Sequence, residues 1–237
     1  MHIFLVPLAS LLLATGSLSA ETPTAELVEN LLSEDLGTRS FSFAEVAGAA
    51  SGKKIIPFDP ENEGHAAIMN ALKKSLDAAM VTMNSADSPT NDLRRINEAS
   101  RFFEDALLAS LNAIDTLTCE IPKNRQGKEQ RSGYPDLLIT HKPTNSKIYL
   151  DPKLYEKKSR QSSFRTFYFE PRERTLKITE DAVHLLVGIA HDGKDGAWTF
   201  TSWEITDLAH LQVRLKAEFQ ASNRDLYRPK AILESSK

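Results

Sequence analysis

Apolar residues recur at helical spacing through the first third of the chain, in two groups with a short break between them. The first group lies at residues 27–32 and the second at residues 66–83. The break at residues 53–58 (KKIIPF) interrupts the repeat and predicts a short extended piece. Residues 24–83 are therefore expected to be mostly helical, and the Met-rich stripe of the second group is expected to belong to the core.

A polar loop separates this part from the next predicted helix. Residues 84–91 read NSADSPTN, which is rich in the residue types that favour loops, and Thr90 or Asn91 can cap the helix that follows. Apolar positions continue at helical spacing as far as Ile114. We therefore expect a helix over residues 91–114.

Beyond residue 116 the pattern changes to that of strands. One candidate is a nearly continuous apolar run, which is typical of a central buried strand, and another is rich in aromatic residues. A closing helix is expected over residues 207–220, where apolar residues return to helical spacing. The predicted strands are residues 136–141, 147–153, 164–169, 183–190 and 198–205.

The first two predicted strands are joined by Lys-Pro-Thr-Asn-Ser, a good turn sequence, and so predict an antiparallel hairpin. If His141 pairs with Ser146, then Asp136 falls opposite Asp151. Alternate side chains share a face, so Lys153 joins these two carboxylates. The opposite, apolar face would carry Leu137, Ile139, Ile148 and Leu150.

Two carboxylates and an amine on one face are the groups that metal-dependent phosphodiester hydrolysis needs. Carboxylate oxygens can hold a hard divalent cation, which polarises the scissile phosphate and lowers the pKa of a bound water. A lysine can orient that water and stabilise charge in the transition state.

The hairpin resembles the PD-(D/E)xK nuclease superfamily, whose core also occurs in many restriction endonucleases. The resemblance rests on Pro135-Asp136, fourteen intervening residues, and then Asp151-Pro152-Lys153. It implies an α/β, restriction-endonuclease-like core, with a mixed β-sheet flanked by helices, and the chemistry of a metal-dependent endodeoxyribonuclease. Asp136, Asp151 and Lys153 would then be catalytic, with Mg²⁺ as the expected cofactor and Mn²⁺ as the second candidate.

The resemblance also implies a further acid on the helix that precedes the hairpin. Glu104 stands at the edge of the apolar stripe of that helix and is the expected third ligand of the metal, beside Asp136 and Asp151. Glu98 is the weaker candidate for this role. The resemblance covers about residues 91–191.

Two features depart from a simple hairpin motif. Pro152 has no N–H to donate, so its strand must end there or have an open edge there. Glu156 and Lys158 form a second acid-x-Lys pair, but they lie in a charged stretch, whereas an apolar strand leads directly into Asp151.

Charge is distributed unevenly along the chain. The net charge is −3, but residues 121–177 carry 14 Lys and Arg against 6 Asp and Glu, a net charge of +8. Such a segment suits a face that meets a polyanion, although a solvated surface is the alternative. We expect DNA to be the partner. The candidate DNA-binding residues are Lys157, Lys158, Arg160 and Arg165.

The first 20 residues look like a secretory signal peptide. Residues 3–13 form an apolar run that is too short to cross a bilayer comfortably, and residues 18–20 (LSA) offer a cut before Glu21. The run lacks a preceding Lys or Arg, so a buried or membrane-anchoring helix is the alternative. The leader predicts a secreted or periplasmic protein, without a transmembrane segment in its mature form.

The expected organisation follows. A signal peptide covers residues 1–20, a helical extension 21–90, the nuclease-like domain 91–228 and a polar tail 229–237. Cys119 is the single cysteine, which excludes an internal disulfide and metal sites built from cysteine. A non-catalytic, exported polyanion-binding α/β protein is the competing function. The oligomeric state stays open, although a homodimer is common among enzymes that cut both strands.

Overall fold

The computed structural model describes residues 24–163, 167–194, 196–216, 218, 220–230 and 232–234. The chain divides into two compact units, one formed by Ser40–Arg214 and the other by residues 1–39 with 215–237. Among the described helices, none is long and apolar enough to cross a membrane.

Over its described residues, the larger unit contains three α-helices. Asn62 caps the longest of them by accepting a hydrogen bond from the His65 N–H at 3.1 Å. At the N-terminus of this helix, a side chain at Gly64 would collide with Thr144 and Ser146 in the hairpin turn, so glycine allows the close approach. The three helices are α2 (Phe43–Ser51), α3 (Glu63–Met83) and α4 (Ser100–Asn112); α1 lies in the smaller unit.

The helix expected over residues 91–114 is shorter than predicted. A 3-10 turn occupies Ile96–Ala99, and α4 starts only after it. Before this turn, the Ser88 and Thr90 hydroxyls lie 2.8 Å apart, and Ser88 Oγ accepts a hydrogen bond from the Thr90 N–H. Short polar side chains that bond to the local backbone compete with helix formation, which explains the late start.

Six of the described strands form one mixed sheet in the order β2-β6-β5-β4-β3, with β7 also paired to β6. β5 and β6 are parallel, whereas β3, β4 and β7 pair antiparallel with their neighbours. A second sheet joins β1 to β8. The strands are β1 (Ser40–Ser42), β2 (Ile55–Ile56), β3 (Leu117–Glu120), β4 (Leu137–His141), β5 (Ser146–Glu156), β6 (Ala182–Lys194), β7 (Ala197–Asp207) and β8 (Gln212–Arg214).

The hairpin register is as predicted. His141 pairs with Ser146, and Leu137 pairs with Leu150, which places Asp136 beside Asp151. The predicted apolar face is buried against α3 and α4. Its members are Leu137, Ile139, Ile148 and Leu150.

Pro152 does not end its strand. β4 ends beside Leu150, so β5 continues past Pro152 with β6 as its neighbour on one side and an open edge on the other. An open edge is where a strand tolerates a residue that cannot donate to the ladder.

The two faces of the sheet pack against different clusters. α3 and α4 contribute Leu72, Leu76, Phe103 and Leu107 to the first. The second contains Phe43 of α2, with Tyr134, Tyr149 and partly buried Phe167 and Phe169. Helices α2 and α3, which the sequence places in a separate extension over residues 21–90, therefore pack in the same compact unit as the sheet.

Two expectations about the C-terminal half are wrong. No helix forms over residues 207–214, because Asp207 accepts hydrogen bonds from the Phe58 and Ala209 N–H groups and starts a 3-10 turn that leads into β8. The aromatic strand at 164–169 is also absent over its described residues 167–169, where Phe167 and Phe169 pack against Phe43 instead.

In its described part, the smaller unit contains two helices, α1 (Thr24–Ser33) and α5 (Asn223–Leu226). The Ser222 hydroxyl and the Asp225 carboxylate form a capping box at the start of α5. The predicted signal peptide lies outside the described residues, which begin at 24.

Candidate active site

Two neighbouring strands bring Asp136 and Asp151 together where the paired part of the hairpin ends. Asp136 immediately precedes β4, and its N–H donates to the Leu150 carbonyl at 3.1 Å. Lys153 Nζ lies 2.6 Å from Asp151 Oδ2 and 3.6 Å from Asp136 Oδ2. One ammonium group therefore bridges both carboxylates.

These three side chains differ in their access to solvent. Asp151 is 1% exposed, Asp136 is 12% exposed and Lys153 is 27% exposed. The carboxylate of β5 thus lies at the bottom of the site, while the lysine is open enough to meet a bound molecule.

Glu104 of α4 lies near enough to Asp136 and Lys153 to interact with their charges. Its side chain is 12% exposed, and its Oε2 lies 3.6 Å from an Arg131 nitrogen. Burial raises the pKa of Glu104, and the charge of Asp136 adds to the increase. The weaker candidate, Glu98, is exposed on the 3-10 turn before α4.

Burial also controls the charge of the deepest acid. It raises the pKa of Asp151 to about 7, and the nearby charge of Asp136 acts in the same direction. Burial alone would lower the pKa of Lys153, but the charges of Asp151 and Asp136 outweigh it and raise that pKa above its usual value. The cluster therefore favours a protonated lysine and opposes the simultaneous ionisation of both acids.

The donor set fits a hard divalent cation. All three acids supply carboxylate oxygens, the ligand type that Mg²⁺ prefers. Asp151 Oδ1 is buried and has no hydrogen-bond partner among the described residues, which leaves it free to act as a ligand. Within that part of the chain, no three His, Cys, Asp or Glu side chains are already arranged at metal-binding spacing, so Asp136, Asp151 and Glu104 would have to adjust around a cation.

The predicted DNA-binding residues have different surroundings. Lys157 and Lys158 are exposed in a 3-10 turn, Lys157–Ser159, directly after β5. Arg160 donates two hydrogen bonds to the Glu204 carboxylate, at 2.8 and 2.9 Å, and is therefore already paired. Arg165 lies outside the described residues.

Two alternatives to the carboxylate cluster have different surroundings. Glu156 and Lys158, the second acid-x-Lys pair, are both exposed. His184 is a buried core histidine, and its Nδ1 lies 2.6 Å from the Tyr134 hydroxyl. Burial lowers the pKa of His184 to about 3, which keeps the ring neutral at physiological pH.

Two basic residues beside the acids were missed as site residues. Arg131 contacts both Glu104 and Asp105, with the Asp105 contact at 2.7 Å. Lys177 is fully buried, and its environment includes the charges of the acids. Both belong to the basic segment 121–177, but only the path of the loops brings them to the site, and charge counting cannot reveal that path.

Comparison with known proteins identifies the family. A family model described as the type II restriction enzyme MjaV family matches residues 36–230. The chain is also 29% identical over 223 residues to the type II restriction enzyme MjaV of Methanocaldococcus jannaschii, and this alignment covers 88% of the chain and 94% of that protein. Both findings agree with the PD-(D/E)xK resemblance carried by Asp136, Asp151 and Lys153 and with the mixed sheet flanked by helices. The chain belongs to the MjaV family of type II restriction enzymes.

Proposed function

We propose that the cluster of Asp136, Asp151 and Lys153 is the catalytic centre of a Mg²⁺-dependent endodeoxyribonuclease. Membership of a type II restriction enzyme family makes the chain a DNA endonuclease and removes the alternative of a non-catalytic polyanion-binding protein. The observation that carries the site assignment is the lysine bridge between the buried Asp151 and the partly exposed Asp136 carboxylates, at 2.6 and 3.6 Å.

The acids would bind the metal. Asp136 and Asp151 would supply oxygen ligands from adjacent strands, and Glu104 would supply a third from α4. Mg²⁺ is the first candidate and Mn²⁺ the second, since both accept oxygen ligands. When bound, such an ion polarises the scissile phosphate and lowers the pKa of a coordinated water.

Lys153 would act on the reacting groups. Its raised pKa keeps the ammonium protonated, so it donates hydrogen bonds and does not act as a base in this state. It can orient the attacking water and can stabilise the negative charge that develops on the phosphate oxygens. The partial exposure of its side chain gives it access to both.

DNA would reach this centre along the basic turn after β5. Lys157 and Lys158 form no ion pair with a described residue, and they would contact phosphates. Arg160 would contribute by exchanging its Glu204 partner for a phosphate, and Arg165 is proposed on sequence alone. A homodimer with one such site for each strand stays a prediction.

The place of action is a separate proposal. The apolar run at residues 3–13 and the small residues before Glu21 favour export, so the mature enzyme would act as a secreted or periplasmic nuclease. The family match begins at residue 36 and leaves this segment out.

Plasmid cleavage by a Lys153→Ala variant tests the proposed chemistry. The variant keeps all three acids, so it should still bind Ca²⁺ and DNA, while cleavage in Mg²⁺ falls about 10²-fold or more, the scale of losing one charged transition-state contact. Lys147→Ala on the same strand is the matched control, because Lys147 pairs with Glu180 instead. Wild-type cleavage by the Lys153→Ala protein would remove that residue from the chemistry.

A further inference from the structure

Lys177 is a lysine buried in the interior beside the acidic cluster. Its exposed fraction is 0%, and its neighbours Leu176 and Ile178 pack in the aromatic cluster beneath the sheet. Long lysine side chains normally extend their charged end to water. Complete burial therefore requires partners for the ammonium in the interior.

One partner belongs to the loop that carries the site. Lys177 Nζ donates to the Gln130 carbonyl at 3.0 Å, and the Arg125 N–H donates to the Leu176 carbonyl at 3.1 Å. Arg131, directly after Gln130, contacts Glu104, and the same loop continues to Asp136. Two hydrogen bonds therefore join the segment around Lys177 to the loop that leads to Asp136.

The remaining interactions of Lys177 are electrostatic. Burial lowers the pKa of Lys177, while Asp136, Asp151 and Glu104 act in the opposite direction and Lys153 acts with burial. An isolated ammonium in such a place would lose its proton, because desolvation is costly. The three acids offset part of this cost, although burial remains the larger effect on the pKa of Lys177.

We propose that Lys177 is a positioning residue of the active site. Its buried ammonium fixes the loop that carries Arg131 and Asp136, through the Gln130 carbonyl, and its charge reduces the repulsion among the three carboxylates. This inference rests on the proposed function, because it treats those carboxylates as the ligands of a cation. With all groups ionised, three acids and Lys153 carry a net charge of −2, and Lys177 reduces it to −1. A divalent cation then brings the site to +1, which suits the single negative charge of a phosphodiester.

A double-mutant cycle in EDTA tests the charge coupling without any cleavage. Lys177→Met keeps a long apolar side chain and removes the charge, so the unfolding temperature should fall by about 5 °C or more. In an Asp136→Asn background the same change should cost less than half as much, because one of the repelling acids is already neutral. Lys147→Met is the control, and its effect should be the same in both backgrounds.

The double-mutant cycle tests the charge coupling whether or not the Lys177→Met protein folds. An equal loss in both backgrounds would overturn the proposal, since a lysine that only fills space would not respond to the charge of Asp136. If Lys177→Met fails to fold, recovery of folding in the double variant supports the coupling. Failure of both, with a folded Lys147→Met protein, would show a packing role and overturn it.

Cation binding provides a second readout for folded Lys177→Met protein. Loss of a positive charge should leave the Ca²⁺ affinity, measured by calorimetric titration, unchanged or stronger. Cleavage in saturating Mg²⁺ should fall about tenfold, and Lys177→Arg should restore part of the lost cleavage. Ca²⁺ binding weakened more than about threefold, or cleavage within about threefold of wild type, would contradict the proposal. Full cleavage by the Asp136→Asn protein would contradict the proposed function but not the role of Lys177, because the charge coupling between Lys177 and Asp136 is measured separately in EDTA.

Discussion

Asp151 combines nearly complete burial with a second acid at close range. Its carboxylate is 1% exposed, and its pKa is about 7 because burial and then the Asp136 charge disfavour ionisation. Lys153 offsets part of this cost by bridging the pair. A bound cation would complete the compensation, so cation binding should release a proton and strengthen as the pH rises.

The stability of the metal-free protein should therefore depend on pH. Between the ordinary Asp pKa of about 4 and the folded value of about 7, the folded protein holds a proton that the unfolded chain releases. The contribution to stability is complete below this window and is lost as the pH rises through it. Buried His184 acts in the opposite direction over much of this range, because its pKa is lowered to about 3. The Asp151 contribution should therefore be measured, by calorimetry in EDTA, as the difference between the wild type and Asp151→Asn.

Relative to Asp151→Asn, the unfolding temperature of the wild type should fall as the pH rises from about 4 to about 7. Asp87→Asn, at an exposed position, should behave like the wild type. Equal pH dependence in the Asp151→Asn and wild-type proteins would mean that Asp151 is ionised in the folded state.

Single residues were predictable where a strict local repeat governs them. Side chains alternate along a strand, so the turn between His141 and Ser146 was enough to place Asp136 beside Asp151. Lys177 has no such repeat around it. It reaches the site through a hydrogen bond to Gln130, 47 positions earlier in the chain, a contact that depends on the complete fold.

At the scale of elements, β5 joins the proposed catalytic residues to the proposed DNA-binding turn. It carries Asp151 and Lys153 between β4 and β6 and ends at the exposed basic turn Lys157–Ser159. The sequence predicts that this strand ends at Lys153, but it continues to Glu156, paired with β6. The end of β4 leaves the open edge that Pro152 requires. The predicted closing helix is absent because apolar residues three apart fit both a helix and a 3-10 turn. Asp207 stabilises the turn by accepting hydrogen bonds from the Phe58 and Ala209 N–H groups.

Lys157→Ala combined with Lys158→Ala should weaken DNA binding and flatten its salt dependence. Each phosphate contact contributes about 0.9 to the slope of log affinity against log salt, so the slope should decrease by up to about 2. Fluorescence anisotropy at several salt concentrations measures it with Ca²⁺ in place of Mg²⁺. The matched control is Lys73→Ala with Lys74→Ala, two exposed lysines on α3, and a slope that changes equally in both pairs would show that the turn is not a specific contact.

At the scale of the whole molecule, the family match covers most of the chain and begins after the first 35 residues. Residues 36–230 match the family, and the compact unit that holds the acids extends from Ser40 to Arg214. The sequence predicted the mixed sheet and its helices but divided them at residue 90, because helical periodicity shows where a helix lies and not which sheet it covers.

Removal of residues 1–20 should leave cleavage unchanged, since all proposed site residues lie within the family match. In an exporting bacterial host, mass spectrometry of the full-length product should show a mature N-terminus at Glu21, in the periplasm or the medium. An intact N-terminus together with an exclusively cytoplasmic product would contradict the proposed export.

The central claim is that Asp136 binds the cation that DNA cleavage requires. The most direct measurement is plasmid cleavage by purified protein from Glu21 onward, in Mg²⁺, Ca²⁺ or EDTA, with Asp136→Asn beside Asp87→Asn. The wild type and Asp87→Asn should cut in Mg²⁺, cut little in Ca²⁺ and be inactive in EDTA. Asp136→Asn should be folded and inactive in all three, because it keeps the size of the side chain and loses the ligand charge. Full cleavage in EDTA, or an active Asp136→Asn protein, would place the chemistry elsewhere in the molecule.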